Sequence, residues 1–369
     1  MKIIPVANPN IGINEAKAAY KVIKSGWVSM GKKVEEFEKK IAKFTNTKYA
    51  IAMNNGTSAL DALLSAFNIT NKDEVLVPSL TYVSTANVVM YKNAKIRLCD
   101  SDNKTFNTNK DFLEKSITNK TKLIIVTDMK GMPVDYDLIK KISSKRRIPI
   151  IADSAESLGA SYKNKLIGSQ LIAHSFSFFA NKNITTAEGG MVVTNNKKLY
   201  EKLKIIRNQG QIGRYNHVLL GNNFRMTDIM ASIGIEQVKK IKKITTEKNK
   251  IANFYNKELS KIYQIQIPYI PKYVTQHSWY NYSIKVDEKF RNKLVKYLKK
   301  NGIETRLSFP PIHIQPYYVK KFKYKKNLCP NAYKAYLKFI DLPIWFGLKK
   351  SSQIKIINVI KSFFRNGNC

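Results

Sequence analysis

Cysteine is scarce in this chain, and long apolar runs are missing from it. The three cysteines among 369 residues, Cys99, Cys329 and Cys369, are scattered, which argues against a disulfide framework and against a cysteine-based metal site. No stretch approaches the roughly 18 consecutive apolar residues of a membrane-spanning helix. Residues 1–10 lack the apolar core of a signal peptide. We therefore expect the protein to work in the reducing cytoplasm.

Acidic residues are also few, at 26 against 64 lysines and arginines, so that the net charge is +38. Such a charge is typical of proteins that bind nucleic acid or an anionic membrane surface. Lysine is nevertheless spread along the whole chain beside many Asn and Ile residues, as in proteins from AT-rich coding sequences, and no basic block accompanies a nucleic-acid motif. We favour this compositional explanation and expect the positive field to attract an anionic, phosphorylated substrate.

The glycine patterns of the common nucleotide-binding folds are missing too. The chain has no Gly-x-Gly-x-x-Gly and no Gly-x-x-x-x-Gly-Lys-Ser/Thr, which argues against a nicotinamide dehydrogenase and a P-loop NTPase. The spacing of His174, His217 and His277 does not match that of metal ligands, so we predict no metal site.

Short apolar segments alternate with helix-like segments through the first two-thirds of the chain. This alternation predicts an α/β domain with a mostly parallel sheet, and ligands bind at the carboxyl ends of the strands in such sheets. We predict a large domain over residues 1–243 and a smaller α/β C-terminal domain over 244–369. The strands predicted in the large domain are Tyr49–Ala52, Glu74–Val77, Lys95–Cys99, Leu123–Val126, Pro149–Ala152, Ser175–Phe179 and Met191–Thr194.

The smaller domain is predicted to follow a long lysine-rich helix over Met230–Ser260. Within it, Trp279–Val286 and Gly302–Arg306 have the pattern of strands. Glu288–Asn301 has the pattern of an amphipathic helix, and Ser352–Phe364 that of a closing helix.

Lys182 lies in a polar turn between a buried strand and a Gly-Gly pair. A lysine in such a place is partly desolvated, and desolvation disfavours the ammonium and leaves a nucleophilic amine suited to Schiff-base chemistry. The alternative is a solvated turn lysine, which is the default in a chain so rich in lysine.

Three further segments follow predicted strands and carry polar or aromatic groups. Gly56, Thr57 and Ser58 open a helix and offer amides and hydroxyls to a phosphate, although ordinary helix capping explains them as well. Asp153 could pair with a protonated pyridine nitrogen or cap the next helix. Tyr82 could lie flat on an aromatic cofactor or belong to the core.

A fourth segment, Gly221–Asp228, precedes the long helix. Thr227 or Asp228 can cap that helix, and Asn223 and Arg225 are then free to reach an anion. Together the four segments and Lys182 supply the parts that a pyridoxal phosphate (PLP) enzyme needs.

The ordered set of motifs resembles the DegT/DnrJ/EryC1/StrS sugar-nucleotide aminotransferases, which have PLP fold type I. The resemblance covers nearly the whole chain. Its segments are Gly26–Ser29, Val34–Glu38, Asn55–Leu60, Pro78–Tyr82, Asp153–Gly159, Ser175–Gly190, Phe224–Asp228, Gly302–Arg306, Pro311–Pro316 and Leu342–Pro343.

The resemblance implies a role for each matching residue. Lys182 would bind PLP through its amine and then move a proton between the substrate carbon and the cofactor. Asp153 would pair with the pyridine nitrogen, Glu156 would lie near the phenolic oxygen, and Tyr82 would stack on the ring.

The phosphate would be bound by Gly56, Thr57 and Ser177. Asn223 would reach the phosphate of the neighbouring subunit's cofactor, which implies a homodimer with shared active sites. Arg225 and His313 are weaker candidates for substrate binding, and a structural histidine in a Pro-rich turn is the alternative for the latter.

The resemblance also implies the reaction. L-glutamate would give its amino group to PLP, leaving 2-oxoglutarate and pyridoxamine phosphate, and the amine would pass to a keto-sugar nucleotide. Asn181-Lys182 followed by Thr-Thr-x-Glu-Gly-Gly is similar to the branch that aminates C4 of 4-keto-6-deoxyhexoses, the perosamine and viosamine synthases of glycan biosynthesis.

Two alternatives stay open. One is amination of a different keto-sugar or a keto-cyclitol. The other, suggested by the net charge of +38, is a non-catalytic regulatory or nucleic-acid-binding protein on the same fold. The presence of Lys182 and Asp153 counts against the second alternative.

Three departures from the family pattern bear on the site. Ala187 stands where the family usually has Gly, so the turn after Lys182 is expected to differ slightly. Val126–Gly131 replaces the commoner Val-His-Leu-Tyr-Gly, which is expected to alter the substrate side. Leu307 follows Arg306 where Pro is frequent.

Overall fold

The computed structural model describes residues 3–365. Its strands, in chain order, are β1 (Tyr49–Met53), β2 (Glu74–Pro78), β3 (Lys95–Cys99), β4 (Thr121–Thr127), β5 (Ile150–Asp153), β6 (Ser161–Tyr162), β7 (Lys165–Leu166), β8 (Ala173–Ser177), β9 (Gly190–Thr194), β10 (Ile265–Gln266), β11 (Val274–Gln276), β12 (Tyr282–Val286) and β13 (Phe339–Leu342).

About half of the remaining described chain is α-helical. The α-helices are α1 (Ile13–Lys24), α2 (Lys32–Thr45), α3 (Gly56–Ala66), α4 (Ser84–Tyr91), α5 (Lys110–Ser116), α6 (Tyr136–Arg146), α7 (Lys197–Arg207), α8 (Asp228–Leu259), α9 (Glu288–Lys300), α10 (Pro316–Phe322), α11 (Pro330–Lys338) and α12 (Lys350–Arg365).

A seven-stranded sheet in the order β1-β9-β8-β5-β4-β2-β3 forms the centre of the molecule. The pairs β2–β3, β2–β4, β4–β5 and β5–β8 are parallel, whereas β9 runs antiparallel to both β8 and β1. The carboxyl ends of β2, β4, β5 and β8 therefore meet at one edge, where the segments that follow these strands come together.

Both faces of this sheet are covered by helices, because successive strand residues point to opposite faces and both sets are apolar. Ile51, Leu123 and Ile151 pack toward α3, α4 and α7 in one core. Their neighbours Ala50, Ile124 and the other alternate strand residues pack toward α2, α6 and α8 in the second core. This double burial explains why the strands are nearly continuous apolar runs in the sequence.

A three-stranded sheet in the order β10-β12-β13 forms a second layer with α9 and α12. Its core contains fully buried Trp279 and Tyr282 together with apolar residues of α8 and α12. A third small sheet joins β11 to β6 and β7.

The predicted α/β architecture and the strands of the large sheet are confirmed, with ends shifted by one or two residues. The strand predicted over Gly302–Arg306 is wrong: Ile303 and Arg306 form only isolated bridges, to Ile4 and Asp341. These residues follow α9 and pair with two different chain segments, which prevents a continuous ladder.

The domain division at residue 243 stays a prediction. Helix α8 runs unbroken through that position, since it spans 32 residues from Asp228 to Leu259. Residues Ile312, Tyr318, Ala332 and Phe339 pack into the core of the large sheet, although they lie in the C-terminal third of the chain.

Three further observations concern membrane-spanning helices, the cysteines and the chain ends. Within residues 3–365, no helix is both long and apolar enough to cross a bilayer. Cys99 and Cys329 are buried free thiols. Cys369 and the first two residues of the N-terminal segment lie outside the described residues.

Candidate active site

A cavity of about 470 Å³ lies at the edge where the parallel strands end. Its walls come from the segments that follow β1, β2, β4, β5 and β8, and from two segments near the small sheet. The residues used below that line it are Gly56, Thr57, Ser58, Tyr82, Met129, Asp153, Glu156, Ser177, Lys182, Tyr280, Arg306 and Phe309.

Lys182 lies in this cavity on the turn after β8. Its Nζ is 3.8 Å from Glu156 Oε1 and 4.1 Å from the centre of the Tyr280 ring. The side chain is 13% exposed. A turn lysine with two partners at this depth is not the solvated lysine of the alternative interpretation.

The protonation of Lys182 differs from the sequence-based expectation. Burial does lower the pKa of the amine, but the neighbouring Tyr280, Glu156 and Asp153 outweigh burial, so that the pKa lies above the ordinary value of lysine. The expectation that desolvation alone leaves a neutral amine is therefore wrong. The raised pKa favours the ammonium form, which has to lose a proton before the amine can attack a carbonyl.

Asp153 ends β5 and is buried at the floor of the cavity. Thr85 Oγ1 donates to Asp153 Oδ2 at 2.7 Å, and the amide of Ala155 donates to Oδ1 at 3.2 Å. Burial raises the pKa of the carboxyl, and these hydrogen bonds and the charge of Lys182 offset the effect only in part. A buried carboxylate with this environment favours a cationic partner in the cavity.

Glu156 lies between two lysines. Its Oε2 accepts from the amide of Lys130 at 2.7 Å, and its Oε1 faces Lys182. Burial raises the pKa of this carboxyl, while the charges of Lys182 and Lys130 act in the opposite direction. The residue is thus a second buried carboxylate on the cavity wall.

The start of α3 offers donors to a phosphate. The Asn55 side chain caps only the amide of Ser58, at 2.8 Å, so the amides of Gly56 and Thr57 have no partner inside the helix. A Cβ on Gly56 would lie 3.0 Å from Ser177 Cβ, and one on Gly190 would overlap the Asn55 carbonyl. The close approach of these backbones shapes a small anion cradle at the positive end of the helix.

Tyr82 lies at the opening of the cavity and is 54% exposed. Its ring packs against Phe309, with centroids 5.2 Å apart. It is therefore not a core tyrosine, and its place on the cavity wall suits contact with an aromatic ligand.

Three of the residues singled out from the sequence do not line this cavity. Asn223 is exposed and bridges to Asn208 on the long loop after α7, and Arg225 Nη1 donates to Asn208 Oδ1 at 2.7 Å. His313 is buried: Ser79 Oγ lies 2.6 Å from its Nδ1, and its Nε2 lies 3.0 Å from the carbonyl of Lys326. Both ring nitrogens of His313 are thereby engaged within the chain.

Several residues in or beside the cavity were not predicted from the sequence. Thr85 binds Asp153, Tyr280 lies against Lys182 and donates to Asn181 Oδ1 at 3.1 Å, and Arg306 and Phe309 close the side toward the small sheet. Arg306 was within a motif of the family pattern, which is the only signal that pointed to it. Tyr280 had no local signal.

The departures from the family pattern have structural counterparts. Ala187 adopts φ +70°, a left-handed conformation that glycine accepts more easily, so alanine holds this turn at a cost of about 1 kcal/mol. Lys130, in the altered Val126–Gly131 segment, is buried and also left-handed, with φ +60°.

A larger groove of about 830 Å³ lies between α1, α2 and the start of α8. It is lined by several lysines and Trp27 and contains none of the predicted site residues. No group of three or more His, Cys, Asp or Glu side chains within residues 3–365 could hold a metal ion. The chemistry-bearing residues are therefore concentrated in the smaller cavity.

Comparison with known proteins agrees with this site. The family model of the DegT/DnrJ/EryC1/StrS aminotransferase family matches residues 9–361. The GDP-perosamine synthase of Escherichia coli O157:H7 is 36% identical over 367 residues, which are 99% of each chain.

Two solved structures have the same fold. Helicobacter pylori PseC, an aminotransferase involved in the biosynthesis of pseudoaminic acid, superposes with a TM-score of 0.93 at 28% identity, over 99% of this chain and 100% of its own. The PLP form of the sugar aminotransferase Spr1654 from Streptococcus pneumoniae gives 0.94 at 29% identity over 99% of each chain. The prediction of PLP fold type I is confirmed.

Proposed function

Because the chain belongs to the DegT/DnrJ/EryC1/StrS aminotransferase family, whose enzymes use PLP, we propose that it transfers the amino group of L-glutamate to the C4 keto group of a nucleoside-diphosphate 4-keto-6-deoxyhexose. The products are 2-oxoglutarate and a 4-amino-4,6-dideoxyhexose nucleotide for glycan biosynthesis. The amino group and a hydrogen leave glutamate, whose new keto oxygen comes from water, and the keto oxygen of the sugar leaves as water when the sugar takes up the amine, so the exchange balances.

The residues of the cavity fit PLP. The cradle of Gly56, Thr57 and Ser177 suits a phosphate, and Asp153 suits a protonated ring nitrogen. The two sites lie in one cavity. Among the described residues that line this cavity, Lys182 is the only lysine. When bound, PLP supplies an aldehyde that takes up amines and a ring that withdraws electrons from the neighbouring carbon.

The roles of the protein side chains follow from their positions. Lys182 would hold the cofactor aldehyde through Nζ, and its amine would carry a proton to and from the substrate carbon. Glu156 stabilises the positive charge of Lys182, and Asp153 would hold a proton on the ring nitrogen. Tyr82 would stack on the ring. The observation that carries the proposal is Lys182 Nζ in one cavity with Asp153, Glu156 and the start of α3.

The choice of a C4 keto-sugar is supported by the GDP-perosamine synthase at 36% identity over 99% of both chains. It is also supported by Thr185-Thr186 and Glu188–Gly190 after Lys182, the pattern of the C4-aminating branch. Arg306 on the cavity wall and the overall positive charge favour anionic substrates.

We further propose a cytoplasmic homodimer with two shared active sites. The loop after α7 carries Tyr215 and Leu220, which are 76% and 93% exposed, and Asn223 lies at its end. Large apolar side chains at such exposure favour burial against a partner. In the dimer, Asn223 would reach the phosphate of the neighbouring subunit's cofactor.

The test is the visible absorption spectrum of the protein with PLP, before and after L-glutamate. We expect a band that requires Lys182 and bleaches with glutamate, followed by recovery when a 4-keto-6-deoxyhexose nucleotide is added. Lys182→Ala lacks both changes.

Each outcome has a distinct meaning. A wild-type protein without a lysine-dependent band contradicts the enzyme assignment. A band that bleaches with glutamate but recovers only with a 3-keto sugar or a keto-cyclitol contradicts the choice of acceptor. GDP-, UDP- and dTDP-linked sugars are compared at equal concentration to identify the nucleotide.

A further inference from the structure

Lys130 connects two parts of the molecule that lie far apart in sequence. Its amide donates to Glu156 Oε2 at 2.7 Å, and its Nζ lies 2.8 Å from Asp341 Oδ1. The left-handed backbone of Lys130, at φ +60°, lets the amide and the side chain point to these two carboxylates at once. The ammonium group also lies 4.7 Å from the centre of the Phe339 ring.

Asp341 is held firmly on β13 of the small sheet. Asn281 Nδ2 donates to its Oδ2 at 2.8 Å, and Ser283 Oγ donates to Oδ1. Its backbone exchanges two hydrogen bonds with Arg306, of 2.8 and 3.2 Å, and Arg306 lines the cavity. The ion pair of Lys130 and Asp341 therefore spans the junction between the cavity wall and the small sheet.

The four charged groups alternate in sign from the small sheet to the cavity: Asp341, Lys130, Glu156 and Lys182. The side chains of Lys130 and Asp341 are 10% and 2% exposed. Buried ion pairs contribute little net stability, but the loss of one partner leaves an uncompensated charge. The buried pair of Lys130 and Asp341 is therefore suited to control the charge around Glu156 and Lys182.

We propose that Lys130, paired with Asp341, is a positioning residue that fixes Glu156 against Lys182 and sets the charge that Lys182 experiences. This inference rests on the proposed function, in which Lys182 binds PLP. Lys130 acts through Glu156 and touches neither the cofactor nor the substrate.

Lys182 and Glu156 in this series of four charged residues face a small set of charged and titratable groups. Lys182 faces Tyr280, Glu156 and Asp153. Glu156 faces Lys182, Lys130 and Asp341, and Tyr280 also faces Arg306. Substitution of Lys130 removes one cation from this set and leaves Asp341 as an unpaired anion.

The test is the pH titration of the visible band of the PLP-loaded protein. Lys130→Met makes the surroundings of Lys182 more negative, which favours protonated forms, so the pH midpoint of the band rises by about 1 unit. Asp341→Asn leaves the cation of Lys130 unpaired, and the midpoint falls. The double variant Lys130→Met/Asp341→Asn removes both charges, and its midpoint returns most of the way to that of the wild type.

Two control variants separate charge from structure. Lys130→Arg keeps the charge and the wild-type midpoint. Lys285 is a half-buried lysine on β12 of the same small sheet; it packs on Phe106 and does not face Glu156. The Lys285→Met variant therefore keeps the wild-type midpoint. Far-ultraviolet circular dichroism and thermal unfolding show which variants are folded; if Lys130→Met does not fold, Asp341→Asn and the double variant carry the test.

The inference is overturned if the single variants shift the midpoint in the same direction, or if the double variant shifts it as far as Lys130→Met does. Either result means that the pair has only a structural role. A wild-type protein that gives no lysine-dependent band contradicts the proposed function itself, which is a different outcome from an unmoved midpoint.

Discussion

The buried charges of the cavity and the exposed charges of the helices follow different rules. On the cavity wall, Asp153, Glu156 and Lys182 each face specific partners brought together from distant segments. On the surface, Lys33 pairs with Glu36 three residues away on α2, and the two side chains are 46% and 41% exposed. The number of lysines is therefore a weak indicator of function in this chain, whereas the surroundings of Lys182 are a strong one.

The physical basis of the difference is solvation. Exposed pairs are screened by water and contribute about 0–1 kcal/mol to stability. Buried charges lose their hydration, and they persist only where partners compensate for that loss. Charges kept at such a cost are expected where chemistry needs them.

The largest effect is expected from Asp153→Asn. The amide cannot hold a proton on the ring nitrogen as an anion does, so glutamate-dependent bleaching of the PLP band slows by a factor on the order of 10²–10⁴, the range for groups that manage a proton in the reaction. Stopped-flow absorbance in single turnover measures this rate.

Asp137→Asn is the matched surface control. Asp137 pairs with Lys163 at 2.7 Å, and both side chains are about half exposed. An equal loss of rate in both variants would show that the effect is not specific to the cavity.

A smaller effect, on stability, is expected from Lys248→Met. Lys248 is buried on α8, donates to Asn183 Oδ1 at 2.8 Å and has no carboxylate among its hydrogen-bond partners. Burial lowers its pKa to about 7 from the ordinary value of 10.5.

The sign of the pH dependence follows from proton binding. Between pH 7 and 10.5 the unfolded chain binds more protons at Lys248 than the folded protein does, so the free energy of unfolding rises with pH in this window. The rise is a few kcal/mol at most, since one pKa unit corresponds to about 1.4 kcal/mol. Lys248→Met lacks this contribution, as urea unfolding at several pH values would show.

Lys250→Met is the control for that experiment, because Lys250 is exposed two residues further along the same helix. The unfolding free energy of the Lys250→Met variant keeps the wild-type dependence on pH. If Lys248→Met also keeps that dependence, Lys248 is not the titrating group.

The smallest effect is expected from Lys33→Ala. The exposed pair with Glu36 contributes at most about 0.5 kcal/mol to the free energy of unfolding, and less at high salt. A loss of more than about 1 kcal/mol in chemical denaturation would contradict the distinction between exposed and buried charges.

The sequence predicted the parts of the site that lie just after strands. Asp153, Gly56 and Lys182 were recognised because apolar strands end beside them, and parallel strands bring their carboxyl ends together. The antiparallel pairing of β1 with β9 was not predicted, because the apolar pattern of a buried strand carries no information on direction.

Contacts between distant segments were the main limit of prediction. Tyr280 and Arg306 reach the cavity from the C-terminal part of the chain, and Lys130 meets Asp341 across 211 positions of sequence. The protonation of Lys182 was mispredicted for the same reason, since the anionic neighbours that outweigh its burial come from separate segments.

The most direct measurement is reduction of the PLP-loaded protein with borohydride, followed by mass spectrometry of its peptides. Reduction fixes PLP on the lysine that binds it. We predict that the label is confined to the peptide containing Lys182, and that Lys130 and Lys248 are unlabelled although both are buried nearby. A label on another lysine, or one spread over the exposed lysines, would contradict the account.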